Sequence, residues 1–351
     1  MTLAINGRFY AAPLTGVQRY AIEITRRLVE QSDVVLLLPA NANAELLPPN
    51  ARAARGRLSG HAWEQLELRS MARAEGPHTL LHLAGTAPFG SHDDIVVIHD
   101  VLPLTHPQWF GRRFRMWRTV VLRAMARQAA HIITASEWAR AEIVRELSVP
   151  ADRISITTQG IEPFDEPASP ELVASVRARL GLHGEFLLAV GAGDPRKNIP
   201  FLSEVVQEWR RRGGRSLELV AVGAPHRPWL AREAGPDSNV RMVGHVDDAT
   251  MHALYTAAST LCFPSLAEGF GRPPIESIAC GTPSITSNYD AVAEIADAAT
   301  HVLPLDPMAW ADALEQTTRS RTSEAERQAL RARYNWDTAA RQLLASCMAC
   351  V

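Results

Sequence analysis

The 351-residue sequence predicts an α/β protein with two Rossmann-like domains, each built on a parallel sheet. Short, continuous apolar runs alternate with helical patterns along the chain, and this alternation is typical of parallel strands covered by helices on both faces. A proline-rich segment, residues 162–170, separates the alternation into two sets. The length also suits two domains of ordinary size. We therefore expect one domain on each side of this linker.

The strands are predicted, in order, from the apolar runs. In the first half these runs begin at residues 34, 80, 94, 131 and 154, and in the second half at residues 186, 217, 240, 260, 284 and 301. A last amphipathic segment, residues 335–349, predicts a helix. Ligands of open parallel sheets bind at the carboxyl ends of the strands. The side chains that directly follow the apolar runs are therefore the candidates for a functional site.

Residues 265–283 read SLAEGFGRPPIESIACGTP and predict a loop that opens a helix of about two turns. Pro273 and Pro274 fit the first helical turn, where a missing N–H costs nothing. Gly281 is typical of the position just after a helix end. The free amides of a helix N-terminus bind anions, phosphates above all. This segment therefore predicts a phosphate-binding turn.

Two carboxylates, Glu268 and Glu276, flank the predicted turn eight positions apart. Carboxylates cannot bind the phosphate, but they accept hydrogen bonds from hydroxyl groups such as those of a sugar or a ribose. Gly269 and Gly271 let the backbone approach a ligand closely. A glycosidase acid and nucleophile is an alternative interpretation of the two carboxylates, supported by their spacing alone.

A single lysine, Lys197, stands among 35 arginines. It lies in residues 186–202, FLLAVGAGDPRKNIPFL, directly after a predicted strand and before Asn198, a candidate helix cap. Its ammonium is a compact point charge, suited to neutralising a leaving diphosphate. The segment lacks the third glycine of a dinucleotide-binding motif and the glycine spacing of a Walker loop. A charge-neutralising role therefore fits it better than either motif.

These two segments together resemble the retaining glycosyltransferases of family 4, which have the GT-B fold. The resemblance rests on SLAEGFGRPPIE, with its Glu-x7-Glu spacing, and on VGAGDPRKN upstream of it. It extends to residues 15–28, 95–110 and 132–161, and so covers most of the chain. Two positions depart from the family pattern: Ala192 stands where Arg or Thr is frequent, and Gln159 where Asn is favoured.

The resemblance implies a GT-B architecture in which two Rossmann-like parallel-sheet domains face a cleft and the C-terminal helix crosses back to the first domain. Residues 1–163, together with 336–351, would form the acceptor domain. Residues 164–335 would form the nucleotide-sugar donor domain.

The implied activity is retaining transfer of a hexose from a nucleotide diphosphate sugar to a glycan or lipid-linked acceptor. The family's front-face mechanism has the donor phosphate oxygen take the acceptor proton. The PRKN segment favours mannose from GDP-mannose, for polysaccharide or lipopolysaccharide assembly, with rhamnose or a UDP-sugar as alternatives. A sugar-nucleotide epimerase or hydrolase, and a non-catalytic nucleotide-binding subunit, are alternatives from other classes. No cofactor, metal ion or nucleic-acid partner is expected.

The resemblance also implies the site residues. The expected catalytic residues are His99, Arg196, Lys197 and Glu268. The expected donor-binding residues are Gly16, Arg196, Lys197, His245, Val246, Glu268, Gly269, Phe270, Gly271 and Glu276. In the family the first Glu meets the donor sugar and the second meets the ribose, so these roles are carried to Glu268 and Glu276. The departure at Ala192 makes Arg196 the candidate second cation for the diphosphate, where charge stabilises the leaving group.

Charge is spread unevenly along a chain whose net charge is −2. Residues 1–150 carry 17 arginines and 13 acidic residues, whereas residues 151–351 carry 19 basic and 25 acidic residues. Within the basic half, residues 109–128 combine six arginines with apolar residues at helical spacing. These apolar residues are Trp109, Phe110, Phe114, Trp117, Val121 and Met125. Such a helix lies at an anionic membrane surface or packs on the sheet of its own domain.

No apolar run reaches 18 residues, and the first residues lack the pattern of a signal peptide. We therefore expect a cytoplasmic protein, which is peripheral at the inner face of the plasma membrane if residues 109–128 contact lipid instead of packing on their own sheet. Cys347 and Cys350 form a Cys-x-x-Cys without a second pair, so that neither a zinc nor a redox site is predicted there.

Overall fold

The structure, a computed structural model, describes residues 2–76, 79–90, 92–223, 240–295 and 300–349. The chain divides into two compact units. The first comprises Met1–Gly160 and Tyr334–Val351, and the second comprises Ile161–Arg333. Each unit holds a parallel sheet with helices, so the predicted α/β fold class with two Rossmann-like domains is confirmed.

The described part of the first unit contains seven strands in one parallel sheet. The strands are Leu3–Asn6 (β1), Val34–Leu38 (β2), Arg52–Arg55 (β3), Thr79–His82 (β4), Ile95–Val97 (β5), His131–Thr134 (β6) and Ile154–Ile156 (β7). Their spatial order is β3-β2-β1-β4-β5-β6-β7. The helices that accompany them are Gly16–Gln31 (α1), Gly60–Leu66 (α2), Leu68–Ala74 (α3), Leu102–Thr105 (α4), Arg112–Gln128 (α5) and Glu137–Leu147 (α6).

The second unit repeats this architecture, with six strands among its described residues. They are Phe186–Val190 (β8), Glu218–Val222 (β9), Val240–Gly244 (β10), Thr260–Phe263 (β11), Ser284–Ser287 (β12) and Thr300–Leu303 (β13). Their order is β10-β9-β8-β11-β12-β13, all parallel. The helices are Pro170–Leu180 (α7), Ile199–Arg211 (α8), Asp248–Ala257 (α9), Arg272–Ala279 (α10), Pro307–Thr317 (α11) and Glu324–Arg333 (α12).

The last helix, Trp336–Ala349 (α13), returns to the first unit and packs against α1. Trp336 and Leu343 are fully buried in the core that also holds β1 and β2. Gly160 makes room for this helix, since a Cβ there would lie 2.4 Å from Cγ of Trp336. Arg27 on α1 donates to the carboxylate of Asp337 at 3.0 Å. The crossing-back helix predicted from the resemblance is therefore present.

Helix α5 packs one face on the first sheet and leaves the other exposed. Its buried residues are Val121, Leu122, Met125 and Ala126. Its exposed apolar residues are Phe114, Met116, Trp117 and Val120, whose exposed fractions are 48%, 63%, 38% and 57%. The apolar stripe predicted from the sequence is thus divided: Val121 and Met125 belong to the core, while Phe114 and Trp117 face outward. Among the described residues, no helix is both long enough and apolar enough to cross a bilayer.

Candidate active site

The carboxyl ends of β8 and β9 are held together by backbone contacts. The amides of Gly191 and Ala192 donate to the carbonyl of Val222 at 2.8 and 2.9 Å. Gly223 permits this approach, because a Cβ at that residue would lie 2.8 Å from the amide nitrogen of Ala192. Gly191 itself has a φ of +90°, a conformation that favours glycine. The chain therefore turns sharply at the end of β8, where the lysine segment begins.

Lys197 ends the short 3-10 helix Pro195–Lys197, which Asp194 caps by accepting from the amide of Arg196 at 3.0 Å. The Lys197 ammonium donates to Oε1 of Glu268 at 2.6 Å. It also lies 4.4 Å from the centroid of the Phe263 ring, on β11, within cation–π distance. The structure thus brings together two residues that are 71 positions apart in the sequence.

Glu268 is buried and accepts a second hydrogen bond, from the hydroxyl of Ser265 at 2.6 Å. The loop that carries both residues is joined to the lysine loop through its backbone, because the amide of Leu266 donates to the carbonyl of Arg196 at 2.8 Å. These contacts fix one carboxylate oxygen of Glu268 between an ammonium and a hydroxyl. The protein's own contacts therefore hold Lys197 and Glu268 together.

Arg196, the candidate second cation, pairs with a carboxylate of its own turn, that of Asp194. Its Nε donates to both carboxylate oxygens of Asp194, at 3.1 and 2.9 Å. Burial alone would raise the pKa of Asp194, but the hydrogen bonds and positive charge of Arg196 outweigh this and lower it. Because Arg196 already has an anionic partner in the structure, a phosphate would have to displace or share that carboxylate.

The predicted loop and the short helix that it opens are both present. Gly271, with a φ of +97°, is the N-cap of α10, and Pro273 and Pro274 lie in the first turn of that eight-residue helix. A Cβ at Gly271 would lie 2.1 Å from the hydroxyl oxygen of Tyr289. Glycine is therefore required there by the protein's own packing as well as by the backbone conformation.

Glu276 is buried on α10 and held at both carboxylate oxygens. Arg272, one helical turn earlier, lies 2.7 Å from Oε1. The hydroxyl of Tyr255, on α9, donates to Oε2 at 2.8 Å. Burial, together with the neighbouring negative charge of Glu276, raises the pKa of Tyr255 well above its ordinary value. Tyr255 is therefore a permanent donor to this carboxylate.

The remaining donor-binding candidates lie in the same unit. His245 and Val246 directly follow β10, with His245 exposed and Val246 partly buried. Gly269 and Phe270 lie between Glu268 and the start of α10, and the side chain of Phe270 is buried. All four therefore follow the carboxyl ends of strands, as the position of ligand sites in parallel sheets requires.

In the first unit, His99 lies just beyond β5 and is partly buried. Its Nε2 lies 3.0 Å from the carbonyl oxygen of Leu83, which can only accept, so Nε2 carries the proton. Burial lowers the pKa of His99, despite the opposing effects of that hydrogen bond and of Asp100. The imidazole is therefore neutral at pH 7, with Nδ1 as an acceptor.

Gly16, the first residue of α1, has no atom within 4 Å of the position of a Cβ. One turn later, Tyr20 packs edge-on against His99, with ring centroids 4.8 Å apart. The structure thus brings the start of α1 near the His99 loop. His82, at the end of β4, is completely buried. Its ring nitrogens each lie 3.0 Å from a side-chain atom of Asn6 or Asp94, so its role is structural.

Three residues of this site were missed from the sequence: Ser265, Arg272 and Tyr255. Arg272 and Glu276 stand four positions apart, which is the spacing of an ion pair on a helix. This ion pair could therefore have been predicted from the sequence. Nothing in the sequence links Tyr255 to Glu276, because they lie on different helices. Within the described residues, no group of three or more His, Cys, Asp or Glu side chains is arranged to hold a metal ion.

Two protein-family models match the chain. Residues 14–163 match the model described as Glycosyltransferase Family 4. Residues 184–320 match the model described as Glycosyl transferases group 1. The first match ends at the start of the linker, the second begins after it, and together they cover most of the chain.

Relatives and solved structures agree with these matches. The chain is 26% identical to O-antigen chain mannosyltransferase B of Escherichia coli, over 81% of each protein. It is 24% identical to O-antigen chain mannosyltransferase RfbU of Salmonella typhimurium, over 92% of this chain and 93% of that one. The structure of Anabaena HepE in complex with UDP and glucose superposes with a TM-score of 0.74 over 99% of both chains, at 14% identity, and shows the same fold. The chain therefore belongs to the family 4 glycosyltransferases, with the GT-B fold.

Proposed function

We propose that the protein is a retaining hexosyltransferase that moves mannose from GDP-mannose to a hydroxyl of a glycan or lipid-linked acceptor in cell-surface polysaccharide synthesis. The observation that carries this proposal is the Lys197–Glu268 contact of 2.6 Å at the carboxyl ends of β8 and β11. Mannose and O-antigen are favoured because the two relatives named above are mannosyltransferases of O-antigen chains.

In this proposal Lys197 binds the donor diphosphate. Its ammonium is held beside Glu268 and the Phe263 ring, so it is positioned before the donor enters. When the bond from the anomeric carbon to the diphosphate breaks, negative charge grows on the leaving oxygen, and a fixed cation stabilises that charge. The charge that Lys197 supplies is the reason we propose a reaction that needs no metal ion.

The two carboxylates have separate roles. Glu268, fixed by Lys197 and Ser265, accepts hydrogen bonds from hydroxyls of the donor sugar. Glu276, fixed by Arg272 and Tyr255, accepts from the ribose hydroxyls. Both assignments use the capacity of an ionised carboxylate to accept several hydrogen bonds.

The proposed step is a front-face substitution. The acceptor oxygen forms the new bond to the anomeric carbon on the side from which the diphosphate leaves. The acceptor proton passes to a donor phosphate oxygen, so that the nucleoside diphosphate and the glycoside are the products. His99, neutral and with Nδ1 free to accept, hydrogen-bonds a sugar hydroxyl without changing its charge.

We further propose that the enzyme works at the inner face of the plasma membrane. The outward face of α5 mixes exposed apolar side chains with exposed arginines. The apolar ones are Phe114, Met116, Trp117 and Val120, and the arginines are Arg112, Arg113, Arg123 and Arg127. Such a face binds an interface between lipid headgroups and acyl chains, with the arginines attracted to anionic lipids.

A donor panel tests the proposed activity. The purified protein is incubated with GDP-mannose, UDP-glucose and dTDP-rhamnose, each with and without a lipid-linked acceptor and with a chelator present. We expect nucleoside diphosphate release from GDP-mannose that depends on acceptor, and a product with retained anomeric configuration by NMR. Release without acceptor would indicate a hydrolase or epimerase instead, and binding without release in every case would indicate a non-catalytic subunit.

Lys197→Ala tests the role of the ammonium. We expect transfer to fall by roughly 10²–10³-fold, the usual cost of removing one group that stabilises developing charge, while circular dichroism shows an intact fold. Lys197→Arg should also be poor, because a planar guanidinium needs more room than an ammonium. The matched control is Arg211→Ala, which removes an exposed cation from α8 in the same unit. Wild-type turnover in Lys197→Ala would overturn the assignment.

A further inference from the structure

Two arginine side chains of the first unit converge on neighbouring residues just after β4. Arg8 donates from its terminal nitrogen to the hydroxyl of Thr86 at 2.7 Å. Arg118, from α5, donates to the carbonyl of Gly85. Because Gly85 and Thr86 are consecutive, both guanidinium groups contact the same short stretch of chain beyond the carboxyl end of β4.

The backbone at this point is shaped to receive Arg118. Gly85 has a φ of +68°, and a Cβ there would lie 2.8 Å from a terminal nitrogen of Arg118. A side chain at residue 85 would therefore both strain the backbone and displace the guanidinium. The position of the Arg118 guanidinium is therefore determined by the backbone at Gly85, unlike that of an arginine that extends freely into solvent.

The two arginines differ in how closely a carboxylate approaches them. Arg8 has a carboxylate partner, Glu64, at 3.2 Å. Glu64 is fully occupied: burial would raise its pKa, but the bonds from His61, Asn6 and Thr86 and the charge of Arg8 lower it to about 2. Arg118 has no carboxylate within 4 Å in the described part of the chain.

A guanidinium that is withdrawn from water without an ion-pair partner is costly. The nearest charges act on Arg118 in opposite directions, because Asp100 favours its ionised form and Arg8 disfavours it. Arg118 has five N–H donors, and the Gly85 carbonyl uses one of them. The site therefore has donors and positive charge left for an anion.

Aromatic side chains stand on one side of this cation pair. The Trp117 ring packs edge-on against His61, with centroids 4.7 Å apart, and Nδ1 of His61 donates to the carboxylate of Glu64 at 3.1 Å. Phe114 follows along the same helix, 6.5 Å from Trp117 between ring centroids. An anion bound at Arg8 and Arg118 would thus have exposed aromatic surface beside it.

We propose that Arg8 and Arg118 form a binding site for a phosphate or diphosphate group of the acceptor. Two guanidinium groups that converge from different elements match the several oxygens of such a group, with charge-assisted hydrogen bonds. The aromatic residues beside them suit the prenyl chain or the sugar that the phosphate carries. This inference rests on the proposed transfer to an acceptor and names the chemical class of that acceptor.

Binding of inorganic pyrophosphate tests the site without turnover. Calorimetry is carried out on the full chain with saturating GDP, so that the donor side of the second unit is occupied. We expect Arg118→Gln to weaken pyrophosphate binding by about ten- to a hundredfold, the range for lost hydrogen bonds to charged groups. Arg145→Gln is the matched control, because it removes an exposed arginine from α6 in the same unit, and it should bind as the wild type does.

Two further comparisons keep the test decisive. Farnesyl diphosphate is titrated beside pyrophosphate: tighter binding of the prenyl compound indicates a lipid-linked acceptor, and equal binding indicates a soluble phosphate. Arg118→Lys keeps the positive charge but loses the planar guanidinium with its paired N–H donors. It replaces Arg118→Gln in the test if that variant does not fold. Unchanged affinity for both anions in the folded Arg118 variants would overturn the inference. GDP binding by the wild type is measured separately, so that its failure would count against the donor site and leave the anion site standing.

Discussion

Glu276 is oriented by two neighbours before any nucleotide is present. Arg272 occupies one carboxylate oxygen and Tyr255 the other. Tyr255 is itself fixed, because its ring packs edge-on against Phe164 with centroids 5.5 Å apart. The carboxylate therefore has little rotational freedom to lose on binding, and a ligand gains affinity from such preorganisation. Tyr255 acts here through Glu276 and is a positioning residue.

We expect Tyr255→Phe to weaken GDP binding about tenfold, since the substitution removes one hydrogen bond to a charged group. It should leave the binding of 2′,3′-dideoxy-GDP unchanged, because that nucleotide has no ribose hydroxyls for Glu276. Calorimetry with both nucleotides measures the difference. Tyr10→Phe, which removes a buried hydroxyl from the first unit, is the control. Equal weakening for both nucleotides would mean that Tyr255 only supports the packing of α9.

At the scale of the element, the two faces of α5 have different surroundings. Its inner face contributes Val121, Leu122 and Met125 to the core of the first unit. Its outer face keeps Met116 and Val120 exposed among arginines. Apolar side chains that stay exposed beside cations gain free energy when they enter a lipid interface.

The protein should bind anionic vesicles at low salt and lose that binding at high salt, because each arginine near the surface adds about 1 kcal/mol that salt screens. Sedimentation with vesicles of phosphatidylglycerol, and with phosphatidylcholine as the neutral control, measures it. Arg112→Glu with Arg113→Glu should abolish binding. The matched control is Arg210→Glu with Arg211→Glu on α8 in the second unit. If the α5 variant still sediments, the helix is not the membrane contact.

Helices and strands could be predicted from the sequence where residues act on their own stretch of backbone. The short helix α10 was predicted from its prolines and Gly281, since these residues act on their own backbone. Strands β1 and β3 were missed. No structural feature explains why β1 was missed, since its four residues are as many as those of the predicted strands β4 and β6. Strand β3 reads RAAR because it is an exposed edge strand, with Ala54 partly buried against the core.

The candidate site was predictable in part for the same reason. Glu268, Glu276 and Lys197 stand in motifs, so their identity as candidates came from the sequence. Their partners did not. The contact of Tyr255 with Glu276 depends on how α9 packs near α10, and the engagement of Arg196 by Asp194 depends on a turn geometry. Both depend on the three-dimensional arrangement rather than on residue type.

At the scale of the molecule, the first unit is built from two separate stretches of chain. Its core contains Trp336, Ala339, Ala340 and Leu343 from α13. Trp336 also packs against Tyr20, with ring centroids 5.9 Å apart, and Tyr20 in turn packs against His99. The last helix therefore supports both the core and the position of a candidate catalytic residue.

A chain that ends at Arg333 should lose the cooperative unfolding of the first unit, because a buried Trp and Leu are removed from its core and each large apolar residue is worth several kcal/mol. Differential scanning calorimetry should show one transition fewer, while the second unit still unfolds cooperatively. A chain that ends at Ala349 is the control and should unfold as the full chain does. Two unchanged transitions in the shorter chain would mean that α13 contributes little to the first unit.

The split of the first unit between Met1–Gly160 and Tyr334–Val351 reverses the usual order of events on the ribosome, where the N-terminal domain folds first. The ribosome makes the whole of Ile161–Arg333 before it makes α13. The second unit can therefore complete its core while the nascent first unit still exposes the groove that Trp336 fills. During that interval the apolar surface of α1 that α13 later covers stays exposed, a condition that favours aggregation.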